Sequence, residues 1–415
     1  VTAAAAPRVL LVHPSADLYG SDRVALESAA ALAGAGGRVV ATLTASGPLQ
    51  ERLADVGAEV VVTPAPVLRK SLLSPRGVAH HLVEVARRTP AMVRLLRRSR
   101  PDVVYVSTVT VPWWIVLARL SGARVVVHVH EAEDALPRSV RTALAAPLVL
   151  AHDVLANSEV SRALLLGDLP VLRRRCRVVH NGVPGPARVE PPRAELTGPV
   201  RLVVVGRVSP RKGTDTAVAA VRALLERGVD ATLDVVGGVV PGNERFEAEL
   251  RERAERDGTA GRVRWRGVLP DVWPALAEAD IALVPSWVES FGNAAVEAML
   301  AARPLVAGSA QGLREIVRSG ENGLLVAPGD VGALADAVTT LVSDWPAARA
   351  RAVTAREEAL RRFSVDRYRA EIVTAVLGPG GAVPAPPSAV TPGRHGPTAE
   401  GVGRPAVPHA SGGSP

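Results

Sequence analysis

Ile281-Ala-Leu-Val-Pro285-Ser-Trp-Val-Glu289-Ser-Phe291-Gly292-Asn293-Ala-Ala-Val-Glu297-Ala-Met-Leu-Ala-Ala302 is the most informative stretch of the chain. An apolar strand, Ile281–Pro285, runs into a loop containing glycine, and the loop opens a helical run to Ala302. A strand end feeding a glycine-containing helix start is half of a βα unit, and it presents free backbone N–H groups where a phosphate can bind. Glu289 falls in the loop above the strand, and Glu297, eight residues later, falls one to two turns into the helix. The pair can address different hydroxyl-bearing parts of one extended ligand. On spacing alone, a solvated glutamate beside an ordinary helix-face glutamate explains them as well.

The same alternation of short β-branched runs and amphipathic stretches extends in both directions, which predicts parallel sheets. In the second half the strand runs are Arg201–Val205, Thr232–Val236, Arg262–Arg266, Ile281–Pro285, Leu305–Ala307 and Leu324–Ala327. In the first half they are Arg8–His13, Arg38–Thr42, Glu59–Thr63, Asp102–Ser107, Arg124–Val129, Asp153–Asn157 and Arg177–His180. Between the two series, residues 183–199 collect Pro184, Pro186, Pro191, Pro192 and Pro199, a linker by composition. Residues 378–415 hold nine Pro and nine Gly with no Leu, Ile, Met or aromatic residue, so they lack what a core requires and are expected to be disordered. The predicted fold is therefore α/β, with two doubly wound, Rossmann-like domains facing a cleft. Its divisions are an N-terminal domain over 1–182, a linker over 183–199 and a second domain over 200–363. A helix over 364–377 and the tail over 378–415 follow.

Composition narrows the function. With 415 residues, 47% hydrophobic and 22% charged, the chain is long enough for two or three cored domains at roughly 100–200 residues each. The longest apolar stretch, Ala143–Ala151, is nine residues and contains Pro147, well short of the ~20 a membrane span needs. One cysteine, Cys176, makes neither an internal disulfide nor a thiolate metal cage and reads as a small buried hydrophobe. The start, Val1-Thr-Ala-Ala-Ala-Ala-Pro-Arg, has no basic segment ahead of the apolar pattern, so no secretory signal is expected and the predicted setting is cytoplasmic. The net charge is +8, yet residues 69–100 alone carry nine bases and one acid, so the remainder is neutral. Aromatic residues are 3%, thin for stacking on bases, and no nucleic-acid partner is expected.

Two further loops repeat the strand-to-helix placement. Gly206-Arg207-Val-Ser-Pro-Arg-Lys212-Gly213 ends the first strand of the second domain. Arg207 offers a fork and Lys212 a point charge to a diphosphate, without the spacing of a Walker loop. Only Lys70 and Lys212 are lysines in a chain that otherwise writes arginine, which favours a role for Lys212 over a plain basic turn. Tyr19-Gly20-Ser21-Asp22-Arg23 joins the first strand to its helix; Ser21 or Asp22 caps the helix and Gly20 lets a ligand approach the backbone. His128-Val-His130-Glu131 ends the fifth strand with both histidines on one side. A metal pair there would need a third ligand, and Asp-x-Asp occurs nowhere, so no metal is expected.

Together these pieces resemble glycosyltransferase family 4, retaining enzymes of the GT-B fold. The hallmark Glu-x7-Glu is matched by Glu289 and Glu297, with Phe291-Gly292-Asn293 between them. The Gly20 loop, His130, Asn181-Gly182-Val183, Gly206-Arg207 with Lys212, Gly312-Leu-Arg-Glu315 and Gly323-Leu-Leu-Val-x-Pro328-Gly329-Asp330 fall in the family's order, over about residues 8–377. The resemblance implies that Arg207 and Lys212 hold a donor diphosphate, assisted by N–H groups near Phe291–Asn293. It implies Glu297 on the nucleotide ribose, Glu289 on the transferred sugar, and His130 beside the sugar and acceptor. Gly20 and Ser21 would contact the substrates, 1–182 would be the acceptor-side domain and 200–363 the nucleotide-sugar-binding domain, and the helix over 364–377 would return to the first domain. A nucleoside-diphosphate sugar is then the co-substrate, with no cofactor, and the departing diphosphate takes the acceptor's proton. Ser21 stands where the family often has a second glycine, Arg314 where it often has proline, and Gly237-Gly238-Val-Val-Pro departs from the commoner strand ending.

The acceptor is not named by these residues. Met92, Leu95 and Leu96 share one helical face, with Arg94, Arg97 and Arg98 elsewhere. Either that face packs on the first sheet with its arginines in water, or the surface meets anionic lipid and the acceptor is lipid-linked, as in cell-envelope glycan or glycolipid synthesis. Two other classes remain: a GT-B protein that binds a sugar nucleotide without transfer, and a basic membrane or nucleic-acid adaptor.

Overall fold

The structure, a computed structural model, describes residues 6–68, 74–131, 136–239 and 242–379. The Pro/Gly-rich tail from residue 380 onward, and Arg69, Lys70, Val240 and Pro241, lie outside the described residues.

Among the described residues thirteen strands form two sheets, every pairing parallel. The first contains β1 (Arg8–His13), β2 (Arg38–Leu43), β3 (Glu59–Val62), β4 (Val103–Val106), β5 (Arg124–Val129), β6 (Asp153–Ala156) and β7 (Cys176–Val178), in the order β3-β2-β1-β4-β5-β6-β7. The second contains β8 (Val200–Val205), β9 (Ala231–Val236), β10 (Val263–Gly267), β11 (Ile281–Val284), β12 (Leu305–Gly308) and β13 (Leu324–Val326), in the order β10-β9-β8-β11-β12-β13. Central strands such as β4 and β11 are buried along their whole length, as parallel strands with helices on both faces must be. The strand order reverses between β1 and β4 in one sheet and between β8 and β11 in the other. At such a switch point the two exit loops diverge to opposite faces and leave a crevice beyond the carboxyl ends. The Tyr19–Arg23 turn follows β1, the Gly206–Gly213 loop follows β8, and the Glu289 loop follows β11.

The composition-read linker is irregular in backbone but firmly held. Arg193 reaches the fully buried Asp280 carboxylate through Nε at 2.8 Å and Nη2 at 2.5 Å. Trp345 Nε1 donates to Arg193 O at 2.9 Å, and the buried Arg303 guanidinium donates to Glu190 O. The last helix, Val365–Leu377, packs Tyr368, Ile372, Val373 and Val376 into the core that β1 and the helix Gly20–Gly34 build. Two boundaries differ from the sequence reading. The helix after β11 spans Asn293–Leu300, because Ala302 turns to φ 55°. The arginine-rich helix runs Pro75–Ser99, longer than its amphipathic outline, with Pro90 inside it.

Candidate functional site

On the first-domain side, His13 ends β1 fully buried. Its Nε2 lies 2.7 Å from Asp22 Oδ1, and its Nδ1 lies 2.6 Å from Ser107 Oγ, just beyond β4. Asp22 Oδ2 accepts from Tyr19 N at 2.8 Å, so Asp22 rather than Ser21 holds the start of the helix. Ser21 is exposed. The Tyr19–Arg23 turn is thereby fixed to both strands of the switch point. His130 follows β5 with both ring nitrogens buried and without a hydrogen-bond partner, its ring 4.1 Å from that of His128. Burial, then the neighbouring His128 and His13, hold the His130 ring well below the ordinary histidine range, so it is neutral. A neutral imidazole can offer one donor and one acceptor to a hydroxylated ligand.

A buried polar chain supports that ring from behind. Tyr368 Oη lies 2.6 Å from Ser28 Oγ, Ser28 lies 3.2 Å from Tyr105 Oη, and Tyr105 Oη lies 2.7 Å from His128 Nδ1. Burial raises the Tyr105 hydroxyl to about 12 and lowers His128 to about 3, so neither changes charge near neutrality.

On the second-domain side, Gly213 takes φ +66°, and a Cβ there would stand 2.0 Å from Pro285 O. Only glycine allows the β8 loop to close on the end of β11, which brings Lys212 Nζ onto the Glu289 carboxylate. Ser286 Oγ is 3.4 Å from the same carboxylate oxygen. Gly292, at φ +127°, precedes the helix that carries Glu297 and would drive a Cβ to 2.7 Å from Leu313 Cδ2. Burial raises the Glu297 carboxyl, while Arg23 and then Lys212 draw it back. The Phe291 side chain is not in the crevice. It is buried in the second core, edge-on to Phe363 at 5.4 Å, leaving only its backbone to address a ligand.

The two sides meet through these same residues. Arg23 Nη1 is 3.3 Å from Glu297 Oε1. The exposed Arg207 guanidinium sits 5.4 Å from the Tyr19 ring centroid. Asn293 Nδ2 is 3.5 Å from Gly20 O, and Asn293 Oδ1 accepts from Asn181 Nδ2 at 3.0 Å. Glu315, in the short helix Leu313–Ile316, accepts from Val160 N at 2.7 Å and Glu159 N at 2.9 Å, capping a first-domain helix, Glu159–Asp168, from the second domain. The structure thus brings Gly20, Arg207, Lys212, Glu289, Gly292, Asn293 and Glu297 to one crevice, with His130 at the end of β5 on its first-domain side. It adds Arg23 and Tyr19, whose roles the sequence does not announce. Among the described residues no cluster of three or more His, Cys, Asp or Glu could hold a metal ion.

Comparison with known proteins agrees with this architecture. Residues 199–344 match the family described as glycosyl transferases group 1, and residues 19–184 match glycosyltransferase family 4. The chain is 31% identical over 357 residues to the 2-deoxystreptamine N-acetyl-D-glucosaminyltransferase of Streptomyces fradiae, covering 79% of this chain and 83% of that protein. Over 189 residues it is 34% identical to a glycogen synthase of Mycobacterium tuberculosis, covering 45% of this chain; there it spans only 44% of the relative's length. The crystal structure of Anabaena Alr3699/HepE in complex with UDP and glucose superposes with a TM-score of 0.73 at 22% identity, covering 88% of this chain and 98% of that one. The fold and crevice define a two-domain GT-B protein. The chain belongs to the group 1, family 4 glycosyltransferases.

Proposed function

We propose that the protein moves a sugar from a nucleoside-diphosphate sugar to an acceptor hydroxyl, with retention at the anomeric carbon and without a metal. The observation that carries this reading is the convergence of Lys212, Arg207, Glu289 and Glu297 at one crevice between two switch points. In this reading the diphosphate lies against Lys212 and Arg207, whose two positive charges do the work a divalent cation does elsewhere. Glu297 takes the ribose and Glu289 the transferred sugar. The bond from the anomeric carbon to the phosphate oxygen breaks, the acceptor oxygen bonds to that carbon on the same face, and the acceptor's proton passes to the departing phosphate. The chain's own residues position the reactants and stabilise developing charge; none needs to form a covalent intermediate.

The Streptomyces fradiae relative is named for transfer to 2-deoxystreptamine, a soluble aminocyclitol, and a soluble polyhydroxylated acceptor is the reading we favour. The sequence reading left the arginine-rich helix open, and its C-terminal half supports this choice: Met92, Leu95 and Leu96 are buried on the first sheet while Arg94, Arg97 and Arg98 face water. One observation favours a lipid-linked acceptor. The N-terminal half of the same helix exposes Val78, Leu82 and Val83 beside Arg76 and Arg87, a pairing of apolar and cationic groups suited to the inner face of an anionic membrane. Among the described residues no helix is long and apolar enough to cross a membrane.

Incubation with UDP-, GDP- and ADP-sugars tests the donor, with slow hydrolysis as the readout in the absence of acceptor. Turnover of one donor that persists in chelator is expected. No turnover of any, or turnover abolished by EDTA and restored by a divalent ion, would refute the reading. Sedimentation with anionic and neutral vesicles separates the two acceptor classes.

A further inference from the structure

Among the described residues of the first domain, Arg23 is the cation paired with the crevice carboxylates of the second. It stands in the first turns of the helix Gly20–Gly34, its Nε donates to Leu18 O at 3.2 Å, and its Nη1 reaches Glu297 Oε1 at 3.3 Å. The acid is almost buried, with a side chain 10% exposed, whereas the Arg23 side chain is 37% exposed. Lys212, the other cation acting on Glu297, has its ammonium on Glu289. Arg23 therefore supplies the only direct salt bridge to Glu297 among the described residues, and it does so by one long contact rather than a fork.

We propose that Arg23 is a positioning residue of the donor site: its guanidinium and the donor's ribose compete for the Glu297 carboxylate, so binding of the nucleotide draws Arg23 away from Oε1. The inference rests on the assignment of Glu297 to the ribose. A vicinal diol can donate to both oxygens of a carboxylate at once, and these short, aligned bonds outrank a single N–H at 3.3 Å. The guanidinium gives up little, because the side chain is over one-third exposed and keeps its bond to Leu18. The same turn contacts two more donor-side groups, through Tyr19 under Arg207 and Gly20 against Asn293. Occupancy of the donor site is thus transmitted to the turn that the acceptor side also uses, which gives the first domain a way to register a bound donor.

The test is a double-mutant cycle on the full chain, Arg23→Met and Glu297→Gln, followed by calorimetry with UDP, GDP and ADP. The nucleotide that binds the wild type most tightly is carried through the series. Arg23→Met should tighten binding roughly two- to fivefold, the release of one part-exposed ion pair. Arg23→Lys, which keeps the charge on a shorter reach, should fall between. In the Glu297→Gln background, Arg23→Met should change affinity by less than about twofold. A merely structural Arg23 would give weaker binding in both backgrounds with a lower Tm, and that result, or no change in the single variant, overturns the proposal. If Glu297→Gln leaves nucleotide affinity untouched, the ribose assignment itself fails, and that outcome is read independently of Arg23.

Discussion

Tyr105→Phe removes a single oxygen from the interior of the first domain and tests whether the buried chain behind His130 matters. Tyr105 is fully buried, and its hydroxyl is 2.7 Å from His128 Nδ1 and 3.2 Å from Ser28 Oγ. Ser28 keeps two partners after the change, Val24 O at 2.9 Å and Tyr368 Oη at 2.6 Å. His128 loses the partner of its Nδ1, and its Nε2 has only a weak backbone interaction with Val179, outside good hydrogen-bond geometry. A fully buried nitrogen left unpaired costs about 2–3 kcal/mol, the upper part of the range for such a group. For a domain of this size, that is a fall of roughly 4–12 °C in Tm by scanning calorimetry. Tyr368→Phe is the control: Ser28 stays satisfied, and the loss should be about 1 kcal/mol. Because burial holds Tyr105 near 12 and His128 near 3, the penalty should be constant across about pH 5–9. The His128 ring lies 4.1 Å from that of His130, tilted by 43°, so Tyr105→Phe should also lower kcat several-fold, whereas Tyr368→Phe should not. Equal Tm for Tyr105→Phe and wild type, or a larger loss in Tyr368→Phe, would refute this account of the chain.

Glu289→Gln frees Lys212 from its carboxylate, so transfer should drop at least tenfold while nucleoside diphosphate affinity is kept or improved; Glu297→Gln should weaken the nucleotide itself, and equal losses by calorimetry would mean the two are misassigned. Burial pushes Glu315 up, but bonds from His180 and from the Glu159 and Val160 N–H groups hold it below its usual 4.5. Its stabilisation is therefore complete above that value and is lost as pH falls through the lower folded one. Glu315→Gln should cost about 1–2 kcal/mol at neutral pH, and the gap to wild type should shrink in acid; a gap that widens would reverse the sign. Truncation after residue 377 should leave Tm and donor hydrolysis little changed, whereas truncation after 364 strips Tyr368, Ile372, Val373 and Val376 from the first core and should abolish stable folding.

The strands were legible because parallel strands buried on both faces must be written as short apolar β-branched runs; all thirteen lie within two residues of their runs. The loops that carry Gly20, Arg207, Lys212 and Glu289 were legible for a related reason, since each follows the carboxyl end of such a run. Partners across the chain were not. Lys212 meets Glu289 over 77 residues, and Arg23 meets Glu297 over 274. Periodicity reports which face a residue takes on its own element and carries no information on what lies opposite. The buried chain from Tyr368 to Ser28 crosses 340 residues and joins the last helix to the first. Proline counting marked 183–199 as a linker but could not register Asp280, which binds Arg193 from 87 residues away. Phe291 shows the converse: it sits within a recognised motif, yet its ring serves the core.

The charges at the crevice are paired before any phosphate is considered, and this makes a claim about selectivity. Lys212 lies on Glu289 and Arg23 on Glu297, so a diphosphate approaching Lys212 must compete with a carboxylate already in contact. Bare pyrophosphate offers Glu289 nothing in exchange; it displaces a negative charge from its cation and leaves that charge 13% exposed beside a second anion. A nucleotide sugar brings hydroxyl donors for both carboxylates along with its phosphates, so each broken ion pair is replaced by hydrogen bonds to a charged acceptor, worth about 1.5–3 kcal/mol apiece. Pyrophosphate should therefore inhibit donor hydrolysis at least about tenfold more weakly than the matching nucleoside diphosphate. The nucleoside diphosphate in turn, which under the proposed assignment reaches Glu297 but not Glu289, should bind more weakly than the intact donor. Glu289→Gln removes the displaced charge and should strengthen pyrophosphate and the nucleoside diphosphate alike, whereas Glu297→Gln takes away the partner proposed for the ribose and should narrow the first gap by weakening the nucleoside diphosphate. Pyrophosphate that inhibits as well as the nucleoside diphosphate in the wild type would mean that these ion pairs impose no barrier to a bare anion, and that selection for the sugar and ribose is made elsewhere.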